Sequence, residues 1–240
     1  MIMVMISNKH DQQGSVFFYL LIGIALFAAL AFNISRGFRS QSTNSLTDKS
    51  ALLAANDLMH YAQTIEQAVD RVRRKNCAES DISFDHTGWG HTNYRHSPVA
   101  DDKCQIFHPE GGGVSFENFN DFHDKNISGL DHIIFAGAGE IEDIGTNCAA
   151  AQCSDLYLLV RLFHAENLCR TINVAMNIDN SLPTFNGLQT TPLYNGTFTY
   201  GNTLSSIDLI GKNGGCYENT AESYSDGTPY YDFYYVLLAR

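Results

Sequence analysis

The sequence predicts an α+β protein, with a long N-terminal helix packed on an antiparallel β-sheet and disulfides stapling the sheet domain. Three observations predict it. No Gly or Pro occurs from Phe38 to Thr87. All five Pro, 16 of the 19 Gly and all six Cys lie from Cys77 onward. Apolar residues follow helical spacing before residue 76 and form short runs between turn residues after it. A helix laid on an antiparallel sheet is the simplest way for such parts to bury their apolar faces. The 240 residues suffice for one domain plus an appendage. With 15 basic and 26 acidic residues the net charge is −11, which argues against a nucleic-acid partner that needs a basic face.

The first element is the apolar run Val16–Phe32, inside a stretch without charge between Asp11 and Arg36. A helix needs about 17–25 apolar residues to cross a lipid bilayer. Three roles are open to it. It is a permanent anchor, or a secretory signal with Ala29-Leu30-Ala31 as its cleavage site. The third role depends on what precedes it: a short leader ends in Gly14, and Ser15 and the run follow directly. The basic flanks Arg36 and Arg39 favour the cytoplasm for the large domain. Six Cys in a turn-rich domain favour an oxidising compartment, and export is the expectation adopted.

The segment Gln12-Gln13-Gly14-Ser15-Val16-Phe17-Phe18-Tyr19-Leu20-Leu21-Ile22-Gly23-Ile24-Ala25-Leu26 resembles the N-terminus of type IV prepilins and pseudopilins. It departs from their pattern at Tyr19, where pilins usually carry Glu, and at Gln12 and Gln13, where leaders usually hold basic residues. The later part is similar to pilin-like proteins of alphaproteobacteria. The matching residues are Cys104-Gln105-Ile106-Phe107-His108-Pro109-Glu110-Gly111-Gly112-Gly113, Asn167-Leu168-Cys169-Arg170-Thr171-Ile172-Asn173, Gly215-Cys216-Tyr217 and Tyr234-Tyr235-Val236-Leu237-Leu238-Ala239-Arg240. The resemblance implies a pilin-like fold and four segments. These are a leader (1–14), a transmembrane and assembly helix (15–35), an amphipathic helix (36–76) and a Cys-containing β-rich domain (77–240). It implies cleavage by a prepilin peptidase between Gly14 and Ser15. The implied partners are the lipid bilayer and like subunits packed through the N-terminal helix. The implied place is the bacterial inner membrane, with the large domain in the periplasm or on the cell surface. No catalysis and no cofactor are implied.

The second helix is expected over Leu46–Lys75, with Leu52, Ala55, Leu58, Met59, Ala62, Ile65, Val69 and Val72 on one stripe. Ser45-Leu46-Thr47-Asp48 is a loose capping box. Arg71, Arg73, Arg74 and Lys75 sit where the helix dipole favours cations, and are expected as a solvated helix end. Ser40–Ser45 is a candidate hinge. The stripe is expected to cover the protein's own core.

In the last segment, strands are expected at Asp131–Gly137, Leu156–Phe163, Thr197–Tyr200, Ser206–Ile210 and Tyr230–Ala239, and a helix at Ala165–Asn177. The cysteines Cys77, Cys104, Cys148, Cys153, Cys169 and Cys216 suggest three disulfides with fifteen pairings open. Locality favours Cys77–Cys104, Cys148–Cys153 and Cys169–Cys216, the last tying the helix to a loop before the final strand.

Sites for chemistry are few. His86, His91 and His96, with Cys104 and His108 nearby, are expected as exposed loop residues and not as a metal centre. Gly137-Ala138-Gly139 lacks the third Gly of a dinucleotide loop, and Gly111-Gly112-Gly113 lacks the Lys of a phosphate loop. Glu140, Glu142 and Asp143 are expected as a solvated acidic turn. Tyr230, Tyr231, Phe233, Tyr234 and Tyr235 are expected to pack within a strand. No catalytic motif emerges. The function expected is a structural subunit of a type IV pilus or type II secretion pseudopilus-like fibre. The competing class is a monomeric, membrane-anchored or secreted receptor or adhesin binding module.

Overall fold

A computed structural model describes residues 49–86, 94–96, 98–117, 133–148, 150–162, 165–223 and 227–240. All but Lys49 belong to one unit, Ser50–Arg240. The leader, the Gly14–Ser15 junction, the apolar run, the capping box, the hinge and His91 lie outside the described residues. Among those described, no helix is long and apolar enough to cross a membrane.

Helix α1 runs over residues 49–74. Ala55, Leu58, Tyr61, Ala62, Ile65, Ala68, Val69 and Val72 are fully or almost fully buried along it, a one-sided stripe of i+3 and i+4 neighbours. Ala51 is buried as well, but Leu52 is 49% exposed and leaves the expected stripe. The helix ends at Asn76, whose φ of 61° is the left-handed turn-off that Asn tolerates.

Six strands form one sheet in the order β3-β5-β6-β2-β1-β4. They are β1 (Ile133–Ile141), β2 (Asp155–Leu162), β3 (Thr184–Phe185), β4 (Asn202–Leu204), β5 (Gly214–Ser223) and β6 (Pro229–Leu238). The middle four pair antiparallel. The two short edge strands pair parallel, so the sheet is mixed and not purely antiparallel as expected. Each edge pairing spans only two or three residues, arising where a loop returns alongside a longer strand. Helix α2 (Glu166–Ala175) follows β2 and packs on β5 and β6.

The sheet is buried on both faces. One carries Ile133, Phe135, Leu158, Val160, Phe233 and Tyr235 into a core shared with α1 and α2. The other carries Ile134, Tyr157, Leu159, Tyr217, Tyr234 and Val236 into a core closed by Ile178, Leu188, Leu204 and Leu209. Continuous apolar strands such as β2 are the sequence mark of a sheet covered on both sides. Polar ties fix the helix over the sheet. Tyr235 Oη donates to Glu66 Oε2 at 2.8 Å. Lys75 Nζ donates to the carbonyls of Glu110 and Gly111, and Arg71 to that of Gly112. The basic helix end is therefore a clamp on the Gly111–Gly113 turn, and not simply a solvated terminus. A Cβ at Gly111 or Gly112 would strike the backbone of Gln105 or Ile106.

Three disulfides are present: Cys77–Cys104, Cys148–Cys153 and Cys169–Cys216. Cys216 lies within β5, not in a loop. The strand escapes a propensity reading because it begins Gly214-Gly215. At Gly214 a Cβ would sit 2.7 Å from Met176 and 2.9 Å from the Tyr235 ring. Asn173 of α2 completes β5. Its Oδ1 accepts the Cys216 N–H at 2.8 Å and its Nδ2 donates to the Cys216 carbonyl at 2.9 Å. The side-chain amide thus stands in for a neighbouring strand. Two expected strands are absent. Ser206–Ile210 is a turn, closed by Leu209 N–H to Ser206 O at 2.8 Å, that lowers Leu209 onto the second face. Thr197–Tyr200 touches the β1 edge through Thr199 N–H to Gly137 O at 2.9 Å without forming a ladder.

Ile65 is fully buried while Gln67 is exposed on the opposite face of α1. Ile65→Asp is expected to cost on the order of 4 kcal/mol, and Gln67→Asp under about 0.5. Thermal denaturation of the full-length protein checks this, and equal melting points would remove the stripe from the core. Asn173→Ala leaves two buried backbone groups of Cys216 unpaired, and a loss of about 2–4 kcal/mol is expected in a denaturant titration.

Candidate functional site

The disulfide Cys77–Cys104 brings the 3-10 turn Glu79–Asp81 beside the 3-10 turn Asp102–Cys104. His96, Pro98–Ala100 and the loop 195–197 close the space between them into a cleft of about 510 Å³. Ser80, Asp81, His96, Lys103, Asn195 and Thr197 are among its lining residues. Hydroxyls, amides and carboxylates predominate, a composition that suits a small polar ligand. Asp81 Oδ2 accepts the Ala78 N–H at 3.1 Å. Lys103 pairs with Asp101 at 3.4 Å, which also accepts the Lys103 N–H at 3.2 Å and is held below the usual carboxylate range by it.

His96 is the buried member, only 7% exposed. Its Nε2 has no hydrogen-bond partner among the described residues. Burial lowers its pKa from the usual 6.5, against the pull of Asp81 and Asp85. The loop above it depends on Gly196, whose φ of 90° is open to glycine. A Cβ there would strike the Ser80 carbonyl and lie 2.9 Å from the imidazole. His86 is half-buried, its ring 5.5 Å from Phe107 and 5.3 Å from Phe116. Neither His86 nor His96 is the exposed loop residue expected, because aromatic and backbone groups distant in sequence close over them.

A second grouping was missed in the sequence. Asp102, His108 and Glu110 place one potential ligand atom each within 4.8 Å of the others. Their spacing, with five residues between Asp102 and His108 and one between His108 and Glu110, is the signal that was available. His108 Nδ1 accepts the Glu110 N–H at 3.2 Å, so the neutral ring carries its proton on Nε2, 3.8 Å from Asp102 Oδ2. Asp102 Oδ1 accepts from Gln105 Nε2 at 3.0 Å. The trio braces its own loop, with the imidazole lone pair already engaged.

The acidic turn is also corrected. Glu140 is only 2% exposed within β1, with Thr203 Oγ1 3.4 Å from its Oε2. Asp143 lies on the following turn and accepts from Asn147 Nδ2 at 3.1 Å. Gly137-Ala138-Gly139 is strand, and a Cβ at Gly137 would meet the Tyr194 and Phe198 rings at 2.8 and 2.9 Å. The β6 aromatics are buried in the sheet. Two further buried carboxylates hold structure together. Asp155 accepts the N–H of Ile141 and of Arg240, each at 2.9 Å, and burial pushes its pKa up to about 6. Burial likewise raises Asp232, against the opposing effects of Arg161 and of Asn219, which donates to it at 2.8 Å.

No family model, curated protein or solved structure matches this chain.

Because the folded-state pKa of His96 lies below its unfolded value of 6.5, the unfolded state binds the extra proton first. The stability present above the unfolded value is lost as pH falls through the window between the two. His96→Gln does not titrate, so its stability is expected to fall less between about pH 7 and 5 than that of the parent protein. Denaturant midpoints across that range check the sign, and parallel profiles would refute it.

Proposed function

We propose that the chain is a non-catalytic, pilin-like structural subunit, held in the bacterial inner membrane by its N-terminal helix. Its Cys-containing domain faces the periplasm or the outside of a fibre, and it assembles into or with a type IV pilus or type II secretion pseudopilus-like fibre. One observation carries the reading: the order of Gly14, Ser15 and the apolar run, with a second, amphipathic helix downstream that lies on a disulfide-bonded sheet. In such an arrangement the apolar half of the helix is free to pack against lipid and like helices, while the second half is committed to its own domain.

A second reading, a monomeric, membrane-anchored or secreted receptor or adhesin module, is favoured by the polar cleft over His96. The two separate on whether copies touch. A structural subunit crosslinks to like copies through its N-terminal helix in the membrane, and a monomeric module does not.

Mass spectrometry of the mature protein from its own host tests the first reading. The chain is expected to begin at Ser15. A start at Phe32 would mean that signal peptidase removes the apolar run, which overturns the proposal.

A further inference from the structure

The three disulfides differ in access. Cys77 and Cys104 are 6% and 3% exposed, and Cys169 and Cys216 are both fully buried. In Cys148–Cys153, Cys153 is buried but Cys148 is exposed. The ring sizes differ in the same sense: the partners are separated by 27 and 47 residues in the first two bonds and by 5 in this one. Closing a short loop removes least entropy from the unfolded chain, so this bond adds least to global stability. Its small loop nonetheless holds something outside itself.

Arg240, just beyond β6, is gripped from the segment 146–154. Its carbonyl accepts the Thr146 N–H, and its guanidinium donates to the carbonyls of Ala151 and Ser154 at 3.2 and 3.5 Å. The grip is completed by Asp155 Oδ1, which accepts the Arg240 N–H at 2.9 Å, by Glu79 Oε2 at 2.9 Å from Arg240 Nε, and by the Phe198 ring, 3.7 Å below the guanidinium. The Cys148–Cys153 bond closes a ring that contains Ala151, with Thr146 and Ser154 flanking it on either side.

We propose that Cys148–Cys153 is a reducible clasp on Arg240, opened selectively by an external dithiol while the other two disulfides stay closed. The step balances with the reductant alone. A dithiol thiolate attacks the sulfur of Cys148, the exposed residue of the pair, the S–S bond breaks, and Cys153 leaves as a thiolate that takes up a proton. The second thiolate of the reductant then attacks its own sulfur in the mixed disulfide. Cys148 is released as a thiol and the reductant becomes a cyclic disulfide, having supplied two electrons. Exposed disulfides are the labile ones because attack needs an approach to sulfur. Opening the loop frees Thr146, Ala151 and Ser154 from their fixed positions around Arg240. The sheet keeps its order, since its central strands pair independently of the loop. This inference stands apart from the pilin-like reading.

The test treats the full-length protein with graded dithiothreitol, alkylates free thiols and locates them by peptide mass spectrometry, with hydrogen exchange on the same samples. Cys148 and Cys153 are expected to alkylate at about tenfold lower dithiothreitol than the other four cysteines. At that point exchange should rise together in residues 146–154 and 239–240 while α1 and β6 stay protected. Simultaneous reduction of all three bonds, or selective reduction with 239–240 still protected, overturns the clasp. The double variant Cys148→Ser with Cys153→Ser is the second measurement. It is expected to fold, to keep the other two disulfides, and to show the raised exchange without reductant. A variant that does not fold makes this bond a structural staple and refutes the proposal.

Discussion

Strands β2 and β6 pair through seven registered positions at the centre of the sheet, and both present apolar side chains to either side. A strand that is apolar on both faces cannot sit at a water boundary, so the sheet needs two covers. Helix α1 and helix α2 supply one. The other is built from the largely irregular chain between Ile178 and Leu209, interrupted by the short edge strands β3 and β4, which delivers Ile and Leu side chains onto Tyr157, Tyr217 and Tyr234. Irregular chain leaves backbone groups and ring hydroxyls to be satisfied one at a time. Tyr217 Oη accepts the Leu188 N–H at 3.0 Å, and Tyr234 Oη donates to the Lys212 carbonyl at 3.0 Å. Their phenolic protons are held tightly because burial disfavours the anion.

The same constraint places the polar groups. Asp155, at the start of β2, accepts from Ile141 and Arg240, while Asp232, inside the central strand β6, lies beside Arg161 and accepts from Asn219. Arg161 also reaches Glu222 at 2.7 Å, so the cation is shared between a buried and a half-open acid. Such groups fix register more than they add net stability, since desolvation offsets much of the attraction.

The elements legible in the sequence were those whose own residues decide their state. Helix α1 shows in its 3.6-residue spacing, and β2 and β6 in unbroken apolar runs. Strand β5 was illegible because its partners decide it: Gly214 and Gly215 read as turn until the rings of Tyr235 and Tyr234 are set against them, and Cys216 is held by an amide 43 residues earlier. The 206–210 segment erred in the opposite direction, since one alternating apolar residue, Leu209, meets the core while Ile207 is 85% exposed. The cleft was illegible for the same reason as β5. His96 is buried by Gly196 and Ser80, which no local pattern connects to it.

The clamp between α1 and its neighbours has a mechanical side. The helix is tied at mid-length by Glu66 to β6, and near its end by Arg71 and Lys75 to residues 110–112. Just past that end, Cys77 is bonded covalently to Cys104, at the root of the same turn. A pull along the helix axis therefore loads these attachments together in shear, a covalent link among them. Tension applied to α1 is passed to the sheet before the helix itself is asked to unwind.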